Sequence, residues 1–286
     1  MRDYSEELVY TTTSDGLGHA GLLIQPLSSP PREIAVIWVH GGGGKFYGQQ
    51  GIRIGRELAR RGYSYVSGNN RGHDFASRPM QTWYTGPVPI GAWWELIEDS
   101  IYDIAAWIDF MADHGFQSVA LLGHSFGAAK VVYYQAQQQD ARVATVIAAS
   151  IPVLPGVAFM DPGLIDLAEE MIANNRGGEL MPWGSAVAAG GTCSARTFLS
   201  ISRAYRDHFS ADAANPALAQ IRCPLLAFYG SDEEWCGTSR DLEAITQQSN
   251  LCPRVETFMV EGADHSYTNH ETEVATAIAS WLDTLT

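Results

Sequence analysis

The sequence predicts an α/β protein with a mostly parallel central sheet flanked by helices and an inserted cap. Three observations carry that prediction. Short, continuous apolar runs recur along the chain, as strands covered on both faces require. Stretches with helical periodicity alternate with them, which implies parallel strands joined by right-handed crossovers. One long interval, 151–216, interrupts the alternation and is too long for a simple connection.

The elements follow in order. The opening "ELVYTTTSDGLGHAGLLIQP" reads as a hairpin at the sheet edge, turning at Ser14-Asp15-Gly16. "IAVIWVH" (34–40) is the first fully apolar strand, and it enters a run of glycines. "YSYVS" (63–67), "SVALLG" (118–123), "VATVIAA" (143–149), "PLLAFYG" (224–230) and "VETFMV" (255–260) repeat the pattern. Between them, 97–111 carries Ile97, Ile101, Ile104, Ile108 and Met111 every three or four residues, one apolar stripe of a helix. Further helices are expected at 52–61, 126–139, 238–248 and 271–285, with shorter pieces at 163–173 and 194–206. Residues 1–150 and 217–286 therefore form the expected core, and 151–216 an inserted cap or lid over one end of the sheet.

The chain has 286 residues, 46% hydrophobic and 17% charged, enough for one large domain burying about 75% of its unfolded surface. A formal net charge of −14 argues against nucleic-acid or anionic-membrane partners, which would repel it. "MRDYSEELVY" lacks the basic lead and apolar core of a signal peptide, and no apolar run reaches 18 residues. Cys193, Cys223, Cys236 and Cys252 show no C-x-x-C spacing and read as reduced thiols. A cytoplasmic location is expected.

"LLGHSFGAAK" (121–130) places Ser125 between Gly123 and Gly127, where a buried strand becomes a helix. So tight a turn strains the serine backbone and needs glycines beside it. It lifts the hydroxyl above the N-terminus of the next helix, whose positive end favours an oxyanion. A serine needs a base, and His265 follows the last strand, in a loop where it can reach over Ser125. His270, five residues on, would begin or cap the last helix. The base needs an acid to fix its tautomer, and "FYGSDEEW" offers Asp232, Glu233 and Glu234 after a strand. The other two carboxylates would be loop charges or helix caps. Finally "HGGGG" (40–44) can turn the N–H of Gly42, or of Gly43, toward an oxyanion together with the N–H of Phe126. A phosphate cradle is the alternative, but neither G-x-G-x-x-G nor a G-K-[ST] ending is present.

HGGGG, GHSFG, the acid after FYG and the late GADH loop resemble the α/β-hydrolase superfamily over essentially the whole chain, in its order of Ser, Asp or Glu, His. "HGGGGKFYG", "NNRGHD", "GHSFGAAKVVYY" and "SARTF" are similar, more distantly, to siderophore-ester hydrolases of the fusarinine type. The resemblance implies a serine esterase acting through an acyl-serine on a small-molecule ester, lactones included, with no metal or organic cofactor. Thioesters, amides, acyl transfer and C–C cleavage use the same apparatus, and a silent receptor is the non-enzymatic alternative. Many relatives place the acid three residues after the strand-ending glycine, which selects Glu233. Their proline four residues past the acid corresponds to Cys236 counted from Asp232. On that count, and because the shorter carboxylate suits a tight loop, Asp232 is the expected acid.

"MQTWYTGPVPIGAWWELIED" sets Trp83, Tyr84, Trp93 and Trp94 at the carboxyl end of a strand, where open α/β sheets bind ligands. Trp83, Trp93, Trp94 and the cap residue Trp183 are the expected substrate-pocket residues, packing of the cap being the alternative. Arg71 is expected to hold its own loop.

Overall fold

The run 34–39 is buried along its whole length as strand β3 (Ile34–Val39), because helices cover both of its faces. Side chains alternate across a strand, so Ile34, Val36 and Trp38 enter one core and Ala35, Ile37 and Val39 the other. On the first face, Ile54 and Leu58 of α1 (Gln49–Arg60) meet Val274 and Ile278 of α7 (Glu271–Asp283). On the second lie α2 (Ser100–Asp113), α3 (Phe126–Gln138) and α6 (Ser239–Gln248), which supply Ile104, Ile108, Val131, Val132 and Leu242. Each such aliphatic side chain contributes about 1.5–3 kcal/mol on burial. A computed structural model describes residues 3–27, 30–78, 89–152, 160–186, 190–210, 212–234 and 237–285.

The remaining strands are β1 (Tyr4–Thr12), β2 (Gly18–Pro26), β4 (Tyr65–Gly68), β5 (Ser118–His124), β6 (Val143–Ala149), β7 (Leu225–Gly230) and β8 (Val255–Val260). They form one eight-stranded sheet in the order β1-β2-β4-β3-β5-β6-β7-β8. The β1–β2 and β2–β4 pairs are antiparallel, and every other pair is parallel. The first two strands are the expected hairpin. Its turn is closed by Thr13 N–H to Leu17 O at 2.8 Å, with Gly16 at φ 95°. As the outermost strand, β1 leaves Leu8 and Tyr10 exposed.

The stripe is observed along α2 and the 3-10 turn Ile97–Asp99 before it, with Ile97, Ile104, Ile108 and Met111 buried and Ile101 packed against them. Between β6 and β7, α4 (Pro162–Ala173) is capped by Asp161, and α5 (Ala195–Ala204) by Ser194. The latter runs on into a π-helical turn, Tyr205–Phe209. The Ser194 N–H donates to Trp93 O at 2.7 Å, and Ile97 N–H to Ser200 Oγ at 3.0 Å, which fastens this segment to the loop after β4. Among the described residues no helix is long and apolar enough to cross a membrane. Cys193, Cys223 and Cys252 are free thiols, and Cys236 lies outside the described residues.

Candidate active site

Ser125 stands between the end of β5 and the first turn of α3 with φ 54° and ψ −127°. A non-glycine residue held in such a region costs about 1–3 kcal/mol, so the surrounding packing must enforce it. The flanking glycines show how. A Cβ on Gly123 would stand 2.3 Å from Gly127 O, and one on Gly127 would stand 2.1 Å from Val39 O. The Ser125 N–H is tied to Ala149 O at 2.9 Å. Its hydroxyl does not cap the helix it precedes, which leaves it available at the cavity.

His265 lies in the loop between β8 and α7. Asp264 shapes this loop by accepting from the N–H groups of Ser266 (3.0 Å) and Thr268 (2.9 Å). His124 fastens it from below, donating from Nε2 to the His265 carbonyl at 2.7 Å. Because a carbonyl can only accept, His124 carries its proton on Nε2. Burial, with His265 beside it, pushes its pKa down to about 4. The His124 ring stacks on Trp38 at 5.8 Å between centroids.

The carboxylate facing His265 is Glu233, with Oε2 3.1 Å from Nδ1. Its side chain is fully buried. Oε1 accepts from the Gly230 N–H at 3.0 Å and from Ser150 Oγ. Burial alone would raise the Glu233 carboxyl, but the donors His265, Ser150 and Gly230 outweigh it and hold it below its ordinary value. The expectation for Asp232 is corrected here. Ser231 and Asp232 lie in the turn after β7, held by Ser231 N–H to Val260 O (2.9 Å) and Asp232 N–H to Ala263 O (3.0 Å). Both residues are exposed, and Ser231 Oγ donates to Asp232 at 3.1 Å. The next residue, Glu233, is the one whose side chain turns inward. Counting from Gly230 was the signal that identified Glu233.

The glycine loop lies against the elbow, since a Cβ on Gly41 would meet Ser125 Cβ at 2.9 Å. His40 pins this loop. Its Nδ1–H donates to Gly41 O at 2.8 Å, and its Nε2 accepts from the Asn70 N–H at 3.3 Å. That pairing needs a neutral ring, and burial, aided by Lys130, pushes the His40 pKa down to about 3. A trans peptide points its N–H opposite its C=O, so fixing Gly41 O fixes the direction of the Gly42 N–H. Gly42 lines the cavity. Phe126 is the first residue of α3, and its N–H is one of the donors that a helix start leaves without an intrahelical acceptor. Below the loop, Lys130 is buried against Glu95 and reaches Asn70 Oδ1 at 3.2 Å. Nothing in the sequence singled out this pair.

Ser125, His265, Gly41 and Gly42 share a cavity of about 490 Å³ whose described wall continues over Lys45, Gln49, Arg53 and Thr268. Trp93, Trp94 and Trp183 are not among the described residues of that wall. Trp93 packs edgewise on Trp94 and against Phe75, Trp94 Nε1 donates to Gly178 O at 2.9 Å, and Trp183 is 76% exposed. Trp83 and Tyr84 lie outside the described residues. Arg71 holds its loop as expected, bound to Asp103, Asp15 and Asp99. His270 begins α7 without capping it and pairs with Glu273.

The sequence profile of the family described as alpha/beta hydrolase fold matches residues 34–179, which span the glycine loop and the elbow. The chain belongs to that family. No curated protein matches this alpha/beta hydrolase. Among solved structures, Est1E from Butyrivibrio proteoclasticus aligns at 16% identity and TM-score 0.65, over 97% of this chain and 98% of its own. The Pyrococcus furiosus esterase Pf2001 aligns at 15% identity and TM-score 0.61, over 98% and 93%. DcsB, solved with a substrate analogue, aligns at 14% identity and TM-score 0.72, over 99% and 100%. At these identities the likeness establishes a shared fold. The profile match ends before Glu233 and His265, so their assignment rests on geometry.

Proposed function

We propose that this alpha/beta hydrolase is a serine-dependent hydrolase of carboxylic esters. One observation carries the reading: a strained Ser125 opens on the same cavity as His265, whose Nδ1 faces the buried carboxylate of Glu233. A proton on Nδ1 leaves Nε2 as the base. Ser125 Oγ attacks the ester carbonyl carbon while Nε2 takes its proton, and Glu233 stabilises the resulting imidazolium. The N–H groups of Gly42 and Phe126 hold the oxyanion. Collapse expels the alcohol, which takes the proton from His265, and water repeats the sequence on the acyl-serine. Residues 151–216 serve as the cap. Supporting this, Ser194 and Ser200 hydrogen-bond to Trp93 and Ile97 in the loop after β4.

Est1E has been solved with ferulic acid bound, and Pf2001 is described as an esterase. Both agree with ester hydrolysis here. The test is labelling with a fluorophosphonate probe alongside hydrolysis of p-nitrophenyl acetate. Label found on Ser125 by mass spectrometry, and turnover abolished in Ser125→Ala, is the expected result. An unlabelled native protein with no turnover would point instead to a binding protein.

A further inference from the structure

Behind Glu233 lie two hydroxyl groups that the mechanism above does not use. Ser150, immediately after β6, is fully buried at φ 51°, and its N–H is tied to Phe228 O at 2.8 Å. Its Oγ touches both Glu233 Oε1 and the Tyr267 hydroxyl, the latter at 2.5 Å. Tyr267, two residues past His265, is also fully buried, at φ 53°. Two left-handed backbones converging on one buried contact cost free energy that packing alone gives no reason to accept. A position needing only volume would take alanine and phenylalanine.

Hydrogen counting fixes the direction of this chain. An ionised Glu233 can only accept, so the Ser150 hydroxyl hydrogen goes to Oε1. With its own hydrogen given to Oε1, Ser150 Oγ can take part in the Tyr267 contact only by accepting from the Tyr267 hydroxyl. The reverse order would leave Ser150 Oγ and Glu233 Oε1 facing each other with no hydrogen between them.

We propose that Tyr267 and Ser150 are positioning residues for the proposed ester hydrolysis, a directed two-hydroxyl relay that holds Glu233 with Oε2 turned toward His265. The inference rests on that functional reading. The relay acts on the reaction through Glu233 and His265 and does not touch substrate. Among the described residues, the charged or titratable groups facing His265 include Glu233 from the loop after β7, His124 from β5 and Asp264 from its own loop. None of these is altered by the variants below.

The experiment compares kcat/KM for p-nitrophenyl acetate against pH in native protein, Tyr267→Phe, Ser150→Ala and the double variant, with fluorophosphonate labelling as control. Removing a donor from Glu233 concentrates its charge on His265. The imidazolium is then held more tightly, and the acid limb of the profile moves to higher pH. Ser150→Ala should lose roughly 10–100-fold in kcat/KM, as expected for a hydrogen bond to a charged group. Tyr267→Phe keeps ring and backbone and should lose less, with a limb displaced in the same direction. The double variant should lose less than the product of the two single losses, because Tyr267 reaches Glu233 through Ser150. Native rates and an unmoved limb in Tyr267→Phe would overturn the relay, as would lowered rates with an unmoved limb, or additive losses. Absence of both labelling and turnover in the native protein would instead overturn the functional reading.

Discussion

His124 Nε2 donates to the backbone carbonyl of His265 at 2.7 Å, so the residue before the proposed nucleophile holds the loop that carries the proposed base. The two rings lie 4.8 Å apart between centroids. His124→Ala should lower kcat about 10-fold or more with little change in KM, since displacing a reacting group by an ångström is enough for such losses. His124→Gln restores an N–H donor near the same place and should recover part of the rate. Steady-state kinetics on both variants decide the matter, and equal losses would mean that the ring, not the donor, is required.

The acid is tested by neighbouring substitutions. Glu233→Gln should lower turnover by ~10²–10⁴, because His265 loses the partner of its imidazolium. Asp232→Asn should stay within about twofold of native, as its side chain is exposed and its carboxylate bonds to Ser231. A large loss in Asp232→Asn and none in Glu233→Gln would reverse the assignment.

Strain at Ser125 predicts a stability difference. Ser125→Ala keeps a side chain at φ 54°, whereas Ser125→Gly relieves the backbone. Both should be inactive, and the glycine variant should unfold at a free energy about 1 kcal/mol above the alanine variant. Urea titration measures it. Equal midpoints would show that the elbow is not strained.

Acid should loosen the fold well above the carboxylate range. His40 and His124 are held neutral, near pKa 3 and 4, against an ordinary value of 6.5. The folded state therefore binds fewer protons than the unfolded chain below about pH 6.5. Stability is full above that pH and declines as pH falls toward 4, by up to about 3 kcal/mol for each ring. Melting temperatures recorded from pH 7.5 to 4.5 should show the decline, and His124→Gln should flatten it. A native curve level across that interval would contradict the neutral rings.

The sheet was readable because strands buried on both faces must be apolar at every position, as Ile34–Val39 and the run before Gly123 are. Ser125 and His265 were readable because a tight strand-to-helix turn and a late loop leave local marks. The choice between Asp232 and Glu233 turned on the course of the turn after β7, held by Ser231 N–H to Val260 O and Asp232 N–H to Ala263 O, and no local pattern encodes that. Lys130 and Glu95 meet across a separation of 35 residues, so only the fold reveals the pair. Exposure likewise follows from the fold and not from residue type: Trp183 has the apolar bulk of a lining residue, yet it is exposed.

The positions of the site residues along the chain also fix when activity can arise. Gly42 and Ser125 follow β3 and β5, near the middle of the sheet, whereas the loop carrying His265 follows β8, the outermost strand on the far side and the last in sequence. During synthesis, which proceeds from the N-terminus, the nucleophile emerges and can be seated by β3, β5 and β6 while its base is still unmade. A nascent or stalled chain would therefore present a bent serine with no means of activating it. On the proposed mechanism, hydrolysis begins only once β8 has joined the edge and the loop after it is in place, so turnover would report completed assembly.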